Sequence, residues 1–442
     1  MAASVHESQH LAKLFDAGKL TRLFSDGAEM RAMLLTHGAL AKAQGALGII
    51  PETSAAFLHR AAMEIQVDPA ALAEATAANG VSVPAYLAQV RKTLDAPEHA
   101  QYLHWGATSQ DILDTALMLR LKQAFGQLQE QLTQHLKNLA QLSGKYSETP
   151  MPARTWGQHA TPTSFGAVAA AWGRPLLALH AEMTRISNTA FWVSLSGASG
   201  TGSALGPKAA ETRAALAGAL GLHDPGHGWH SDRTPVTQLA AWAARLTAAL
   251  AKMGKDLTEL GMTGIGEVQL GGAGRSSTMP QKQNPVGPGV IVALSAQTTA
   301  LNSVIQNAAA HAHQREGAAW MSEWLALPQL VLGAGAALTR AEKLSAELSP
   351  DETRMRAALG GGQGLIFAEA LSFALAETMP RPEAQAAAKA LCLEAQETGK
   401  CLETLARESH PDLDTAQIFD PEAQLGSAPA EARAFADEVR QL

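Results

Sequence analysis

The stretch richest in reactive groups is residues 275–285, RSSTMPQKQNP. Ser276 and Ser277 offer hydroxyls, Lys282 offers a cation and Asn284 offers an amide, between flexible glycines and rigid prolines. The stretch has neither the period of a helix nor the alternation of a strand. Enzymes that must exclude water close loops of this composition over their ligands. The sequence therefore favours a functional lid here over a plain surface loop.

A second group of polar residues lies at 104–115, HWGATSQDILDT, where Thr108 and Ser109 immediately precede a long helical pattern. Hydroxyls and free backbone N–H groups at a helix N-terminus can bind a carboxylate or a phosphate. The alternative is a simple helix cap, in which Asp111 and Asp114 complement the helix dipole. Taken alone, this motif favours the cap.

The third group is residues 153–166, ARTWGQHATPTSFG, a polar segment delimited by two prolines and followed by a helical pattern. Its polar side chains are Arg154, Thr155, Gln158, His159 and Thr161. We interpret it as a loop that could bind an anionic substrate. It could equally be a capping loop, in which His159 only satisfies a backbone carbonyl.

Long helices must position these motifs. Apolar residues in 111–143 recur at gaps of three and four and form one stripe, which comprises Leu121, Phe125, Leu128, Leu132, Leu136, Leu139 and Leu142. A second stripe begins after the capping pair Thr234 and Pro235, ends at Gly261, and comprises Leu239, Ala243, Leu246, Leu250, Met253, Leu257 and Leu260. Further helices are predicted from about 288 to 314 and over 162–187. Apolar stripes this long imply a helical bundle that continues across a subunit interface.

Composition sets the class and the compartment. The 442 residues are 46% hydrophobic and only 5% aromatic, so Ala and Leu must supply the packing, which suits an all-α fold. A net charge of -7 without a basic stripe argues against a nucleic-acid partner. The two cysteines, Cys392 and Cys401, and the lack of a signal peptide or an uninterrupted apolar span predict a cytoplasmic protein without a membrane partner.

The pattern predicts three helical domains. Residues 1–110 form a smaller helical region, 111–352 the central long-helix bundle, and 353–442 a region of shorter helices interrupted by GGGQG at 360–364. The boundaries near 110 and 352 are placed where the long periodic segments begin and end.

In chain order, the first, second and third motifs are 104–115, 153–166 and 275–285, and in this order they resemble the class II fumarase/aspartase superfamily. The matching regions are GATSQD, RTWGQHATP and SSTMPQKQNP, with a fourth match at 197–206, GASGTGSALG. The resemblance implies a long-helix bundle assembled as a homotetramer, in which three regions from different subunits meet at one active site. It also implies a small polycarboxylate substrate and no cofactor.

The resemblance assigns roles to individual residues. Ser276 would transfer a proton at the carbon α to a carboxylate, and Lys282 would stabilise the charge that develops there. The substrate carboxylates would be held by Thr108, Ser109, Gln158, Lys282 and Asn284. Arg154, Thr155, Trp156 and Ser277 belong to the same matched loops and are expected to bind substrate as well.

Position 156 narrows the reaction. Relatives that eliminate an amine or water usually read Arg-Thr-His in the second motif, where the histidine serves the leaving group, but this chain has Trp156. Loss of such an acid typically costs 10²–10⁴-fold in rate, on the order of magnitude seen for general acids. A carboxylate leaving group, whose pKa is about 4, needs no acid. The resemblance therefore points to a lactone-forming branch that acts on a carboxymuconate-like polyacid.

Two more matches to that branch are 228–233, GWHSDR, and 312–324, AHQREGAAWMSEW. They add His230, Arg315 and Trp324 to the expected substrate contacts. His159 either orients the attacking carboxylate or acts only as a hydrogen-bonding neighbour.

Departures from the family pattern leave alternatives open. The branch commonly has His-Lys-Arg-Asn in the loop, whereas this chain has Gln281 and Gln283 around the lysine, and Arg275 replaces the usual glycine. A sulfomuconate substrate, or an adenylosuccinate, argininosuccinate or aspartate lyase, therefore remains an alternative. A zinc site built from His223, Asp224, His227, His230, His311 and His313 is another, and a non-catalytic helical scaffold is the last.

Overall fold

The computed structural model describes residues 4–272, 274–275, 278–279 and 281–442, together with every side chain in these ranges except that of Arg275. Helices dominate them, so the prediction of an all-α chain is confirmed. The first ten helices are α1 (Asp26–Ala46), α2 (Glu52–Glu64), α3 (Ala73–Asn79), α4 (Val83–Leu94), α5 (Pro97–Ala100), α6 (Ser109–Lys145), α7 (Phe165–Ser187), α8 (Ala209–Leu220), α9 (Thr234–Leu260) and α10 (Val286–Ala308). The others are α11 (Gly317–Glu347), α12 (Glu352–Gly360), α13 (Ala368–Leu375), α14 (Arg381–Thr398), α15 (Leu402–Ser409), α16 (Thr415–Ile418) and α17 (Ala428–Val439). Short 3₁₀ helices occupy Gly18–Phe24, Ala70–Leu72, Ser203–Lys208 and Gly362–Phe367.

The two predicted stripes lie on α6 and α9 and are buried along their whole length. α9 begins at Thr234, has Pro235 in its first turn and ends one residue before Gly261. α7 ends at Ser187 as predicted, but it begins three residues after the expected start. α10 ends at Ala308, six residues earlier than the pattern indicated.

Contacts between Cα atoms divide the chain into two compact units. The first comprises Met1–Gln131, Leu179–Ala248 and Ala293–Thr339, and the second comprises Leu132–Ala178, Ala249–Val292 and Arg340–Leu442. Within the first unit, buried residues between Met30 and Ala116 form a continuous apolar core. Within the second, residues between Leu371 and Ile418 form another. The division into three domains remains a prediction.

Three pairs of short antiparallel strands accompany the helices. They are β1 (Pro150–Thr155) with β2 (Gln158–Ser164), β3 (Val268–Gln269) with β6 (Ser349–Pro350), and β4 (Gly274–Arg275) with β5 (Gln283–Asn284). The second motif is therefore a β-hairpin and not the irregular loop expected from the sequence. Its two-residue turn is Trp156–Gly157, and both residues have positive φ angles, 54° and 73°. Such paired positive angles match the twist of the flanking strands.

One helix in the described ranges, α10, is long and apolar enough to cross a bilayer by length and composition. The bent pair Glu352–Gly360 and Gly362–Leu375 passes the same test when taken together. Core helices of soluble proteins pass it too, so it does not establish a membrane span.

Candidate active site

The carboxylate of Asp111, in the first turn of α6, is fully buried and lies at the centre of a polar cluster. Its Oδ2 accepts hydrogen bonds from the backbone N–H of Thr108 at 3.0 Å and of Gly197 at 2.9 Å. Its Oδ1 accepts from three donors in two other segments, which are the Ser194 hydroxyl at 3.1 Å, the Ser196 N–H at 2.9 Å and His230 Nε2 at 2.7 Å. One buried carboxylate thereby joins the first motif, the glycine-rich turn and the segment that carries His230.

A second layer lies around Gln110 and Asp114. Gln110 Nε2 donates to Asp114 at 3.1 Å and to the His230 carbonyl at 2.9 Å, and its Oε1 accepts from Arg315 Nε at 2.6 Å. Asp114 also accepts from Arg233 at 2.7 Å. The predicted residues Thr108, His230 and Arg315 are thus brought together through two side chains of α6.

Arg233 lies between two carboxylates and is itself fully buried. It pairs with Asp114 and, at 2.7 and 2.8 Å, with Glu323, while Trp229 stacks on its guanidinium at 4.8 Å. Burial alone would lower the pKa of Arg233, but the charges of Asp114 and Glu323 raise it. Burial raises the pKa of Glu323. Breaking a buried pair of this kind typically costs about 3–5 kcal/mol. The ion pairs of Arg233 therefore hold Asp114, and with it the layer around Gln110 and Asp114, firmly in place.

Several polar atoms on this cluster have no partner. Neither the Thr108 hydroxyl nor the Ser109 hydroxyl is hydrogen-bonded within the described part of the chain. Among the described residues, His230 Nδ1 and Ser196 Oγ are buried and lack hydrogen-bond partners, as do both ring nitrogens of His311. Buried polar groups are usually paired, so this capacity indicates a binding site.

Two further histidines lie at this site: His104 at the start of the first motif, and His37 on α1, which no local pattern in the sequence indicates. His37 Nε2 lies 3.1 Å from His104 Nδ1, and His37 Nδ1 lies 2.9 Å from the Met33 carbonyl oxygen. Burial lowers the pKa of His37 to about 3. It also lowers that of His104 to about 4, against the opposing charge of Asp111. His104 has a φ of 69°, a strained angle that often accompanies functional sites.

The hairpin of the second motif lies in the second compact unit. Arg154 pairs in register with His159, and Thr155 with Gln158. Arg154 Nη1 donates at 2.8 Å to Glu267, which is 1% exposed, and Nη2 donates to the other oxygen of the same carboxylate. Its guanidinium is therefore already engaged by a buried anion, and its contact with substrate remains a prediction.

Arg154, His159 and Arg354 line a cavity of about 540 Å³ with Glu267 and glycines that follow α12. Within the described ranges, the side chains of Thr155, Gln158 and His159 have no hydrogen-bond partner. Trp156 is fully exposed at the turn. The tip of the hairpin thus presents free polar groups and an indole to its surroundings.

The loop that carries the predicted proton-transfer residue is held at its base. Gly274 pairs with Asn284 in the β4–β5 ladder, whereas Ser276 and Ser277 lie outside the described residues. Lys282 is exposed and Asn284 is half-buried. The roles of both serines therefore remain predictions from the motif.

Most histidines of the alternative zinc site have other contacts. His223 Nε2 lies 3.0 Å from the Ser187 carbonyl oxygen, and His227 Nδ1 lies 2.9 Å from that of Pro225. Across the described ranges, no group of three His, Cys, Asp or Glu side chains is arranged to hold a metal ion. Trp324, the last predicted contact, packs against Trp320 with ring centroids 4.8 Å apart.

Comparison with known proteins gives consistent results. The family model described as Lyase matches residues 15–299. A 3-carboxy-cis,cis-muconate cycloisomerase of Pseudomonas aeruginosa is 35% identical over 441 residues, covering 97% of this chain and 96% of that protein. A nitrosuccinate lyase of Streptomyces davaonensis is 33% identical and covers 96% of this chain and 95% of its own.

Solved structures give the same result. The crystal structure of 3-carboxy-cis,cis-muconate lactonizing enzyme from Pseudomonas putida matches with a TM-score of 0.92 and 30% identity, covering 98% of this chain and 99% of that one. The long-helix fold is thus that of a lyase-type enzyme. The chain belongs to the Lyase family, within the fumarase/aspartase superfamily.

Proposed function

We propose that the chain is a cycloisomerase that converts 3-carboxy-cis,cis-muconate to 4-carboxymuconolactone in the degradation of aromatic compounds. The observation that carries this proposal is the similarity, over nearly the full length, to relatives of that name. The hydroxyls of Thr108 and Ser109 have no hydrogen-bond partner among the described residues, and Arg315 and His230 are linked to the same turn of α6 through Gln110 and Asp111. These groups are suited to hold a polycarboxylate. The enzyme would act in the cytoplasm.

In this reaction a carboxylate oxygen of the substrate forms a bond to one carbon of a double bond. The π electron pair moves to the neighbouring carbon, which lies α to another carboxylate and takes up a proton. Ser276 would donate that proton, and Lys282 would stabilise the enolate-like intermediate. In the reverse direction the leaving group is a carboxylate, which needs no protonation, and this agrees with Trp156 in place of a histidine.

We further propose that the enzyme is a homotetramer with shared sites. α10 supports self-association, because one face of it is exposed at alternating gaps of three and four residues, the spacing of a helix–helix seam. That face carries Val286, Gly289, Ala293, Ala296 and Ala300.

The test is the ultraviolet absorbance of 3-carboxy-cis,cis-muconate, because ring closure removes the conjugated diene. We expect fast loss of absorbance with the wild type, and a rate lower by about 10²–10⁴-fold with Ser276→Ala, the magnitude of a lost proton donor. Ser409→Ala, an exposed serine at the end of α15, is the matched control and should leave the rate unchanged.

Other outcomes separate the alternatives. Equal rates for wild type and Ser276→Ala would keep the substrate and contradict the role of the serine. Absence of turnover by the wild type would contradict the proposed substrate. Sulfonated muconates would then be tried first, because Gln281 and Gln283 stand where the branch commonly has a histidine and an arginine.

A further inference from the structure

The contact between Asp111 and His230 leaves one imidazole nitrogen for a ligand. Nε2 lies 2.7 Å from Asp111 Oδ1, and Nδ1 is buried without a hydrogen-bond partner in the part of the chain that the structure describes. The side chain of His230 is only 3% exposed. A neutral ring that donates from Nε2 would keep an unshared acceptor at Nδ1 in a dry environment, which is an unfavourable resting arrangement unless a ligand approaches.

The backbone around His230 is fixed by contacts of the residues before it and of its own carbonyl, which limits the movement of the ring. Trp229, the preceding residue, donates from Nε1 to the Val193 carbonyl at 2.9 Å. Gly228 lies so close to the glycine-rich turn that an added Cβ would come 2.7 Å from Ser196 Oγ. Gln110 donates to the His230 carbonyl. With Asp111 itself fixed by four further donors, the ring has little freedom to rotate.

The other charged groups nearby are engaged elsewhere. Asp114 and Glu323 share Arg233, and Arg315 donates to Gln110 and to the Ala198 carbonyl. His104 is hydrogen-bonded to His37, and His311 lies near Arg233 and Asp114. Asp111 is the carboxylate in direct contact with His230, so it is the natural counter-ion of a protonated ring.

We propose that Asp111 is a positioning residue that orients the His230 ring and stabilises the imidazolium that forms when a carboxylate of the substrate binds, with Nδ1–H directed to that carboxylate. A carboxylate can only accept a hydrogen bond, so this contact requires a proton on Nδ1 as well as on Nε2. Binding of a polycarboxylate therefore draws one proton onto His230. The inference rests on the proposed function only for the polycarboxylate class of ligand, because no turnover is involved.

The experiment is calorimetric titration with tricarballylate, a tricarboxylate without a double bond, in buffers of different ionisation heat. At about pH 8, where an ordinary histidine is neutral, we expect the wild type to take up about one proton per site. His230→Gln should take up none and should bind about 10–100-fold more weakly near pH 6.5, the loss expected for one charged hydrogen bond. His227→Gln, an exposed histidine on the same segment, is the matched control and should behave as the wild type.

Asp111→Asn should also abolish the proton uptake, and circular dichroism will show whether it folds. If it does not fold, His230→Gln still decides. Equal proton uptake by the wild type and His230→Gln would overturn the inference, as would failure of the wild type to bind tricarballylate at millimolar concentration. Proton uptake through His230 in a protein that does not convert carboxymuconate would keep this inference and refute the proposed function.

Discussion

At the scale of single residues, Trp156 combines two unusual properties. It has a φ of 54°, although bulky side chains rarely adopt left-handed backbone angles, and its indole is fully exposed. A hairpin turn of this kind is ordinarily built from Asn-Gly or Asp-Gly. Strain of this sort persists where function requires the side chain, so the indole is expected to contact the substrate in the assembled site.

Trp156→Asn should therefore separate stability from activity. We expect the free energy of unfolding to rise by about 1 kcal/mol, because asparagine tolerates the left-handed angle, while kcat/KM for the substrate falls. Urea unfolding and the absorbance assay measure the two effects. Gly157→Ala is the companion control and should lower stability by about the same amount. Unchanged kcat/KM in Trp156→Asn would contradict a contact between the indole and the substrate.

Asp111 shows where prediction from sequence ends at this scale. Its bond to the Thr108 N–H follows from a spacing of three residues and agrees with the capping alternative read from the motif. Its bonds to Ser194, Ser196 and His230 join positions 83 to 119 residues away. Such contacts depend on how distant segments pack, and local periodicity contains no information on that.

At the scale of elements, the long helices were predictable and the hairpin was not. The stripes on α6 and α9 repeat over many turns, so tertiary packing and local pattern agree. The hairpin 150–164 begins at Pro150 and has two interior prolines, Pro152 and Pro162, which usually argue against a strand. These residues face each other in an isolated two-stranded pair with a bulge between Pro152 and Arg154, where a missing N–H is tolerated.

The exposed face of α10 gives a prediction for assembly. Ala296→Arg places a long charged side chain in the middle of the small-residue face of α10, so it should convert the proposed tetramer to smaller species. Size-exclusion chromatography with light scattering measures the mass, and the absorbance assay should lose activity in parallel if sites are shared. Ala214→Arg, on the exposed face of α8, should change neither. A fully tetrameric Ala296→Arg would contradict a seam on this face.

At the scale of the whole molecule, buried neutral histidines should make stability depend on pH. Burial lowers the pKa of His135 to about 3, and the side chain hydrogen-bonds Ser345 at 2.9 Å. At pH values between the ordinary histidine pKa of about 6.5 and the lower pKa of the folded state, His135 is protonated in the unfolded chain but neutral in the folded one. The free energy of unfolding therefore falls as the pH drops through this window, by about 1.4 kcal/mol per pH unit for one such group.

His135→Leu should reduce that dependence. We expect a smaller difference in the free energy of urea unfolding between about pH 7 and pH 5 than in the wild type, because one proton-binding site of the unfolded chain is removed. The quantity to compare is this difference between the two pH values, because the substitution also changes packing and so shifts the free energy of unfolding at both. His10→Leu, at an exposed position, should retain the wild-type difference. The same difference in His135→Leu as in the wild type would refute a neutral buried His135.

The unbroken length of α6 also restricts how this chain can change during evolution. Each residue added within Ser109–Lys145 turns everything after it by about 100° relative to Asp111 and moves it by about 1.5 Å. A single insertion would therefore rotate the leucine stripe out of the core, whereas seven residues would nearly restore its direction at the cost of about 10 Å. Length variation should accumulate instead in segments without such a phase, and the interval between the first two motifs should stay constant in length.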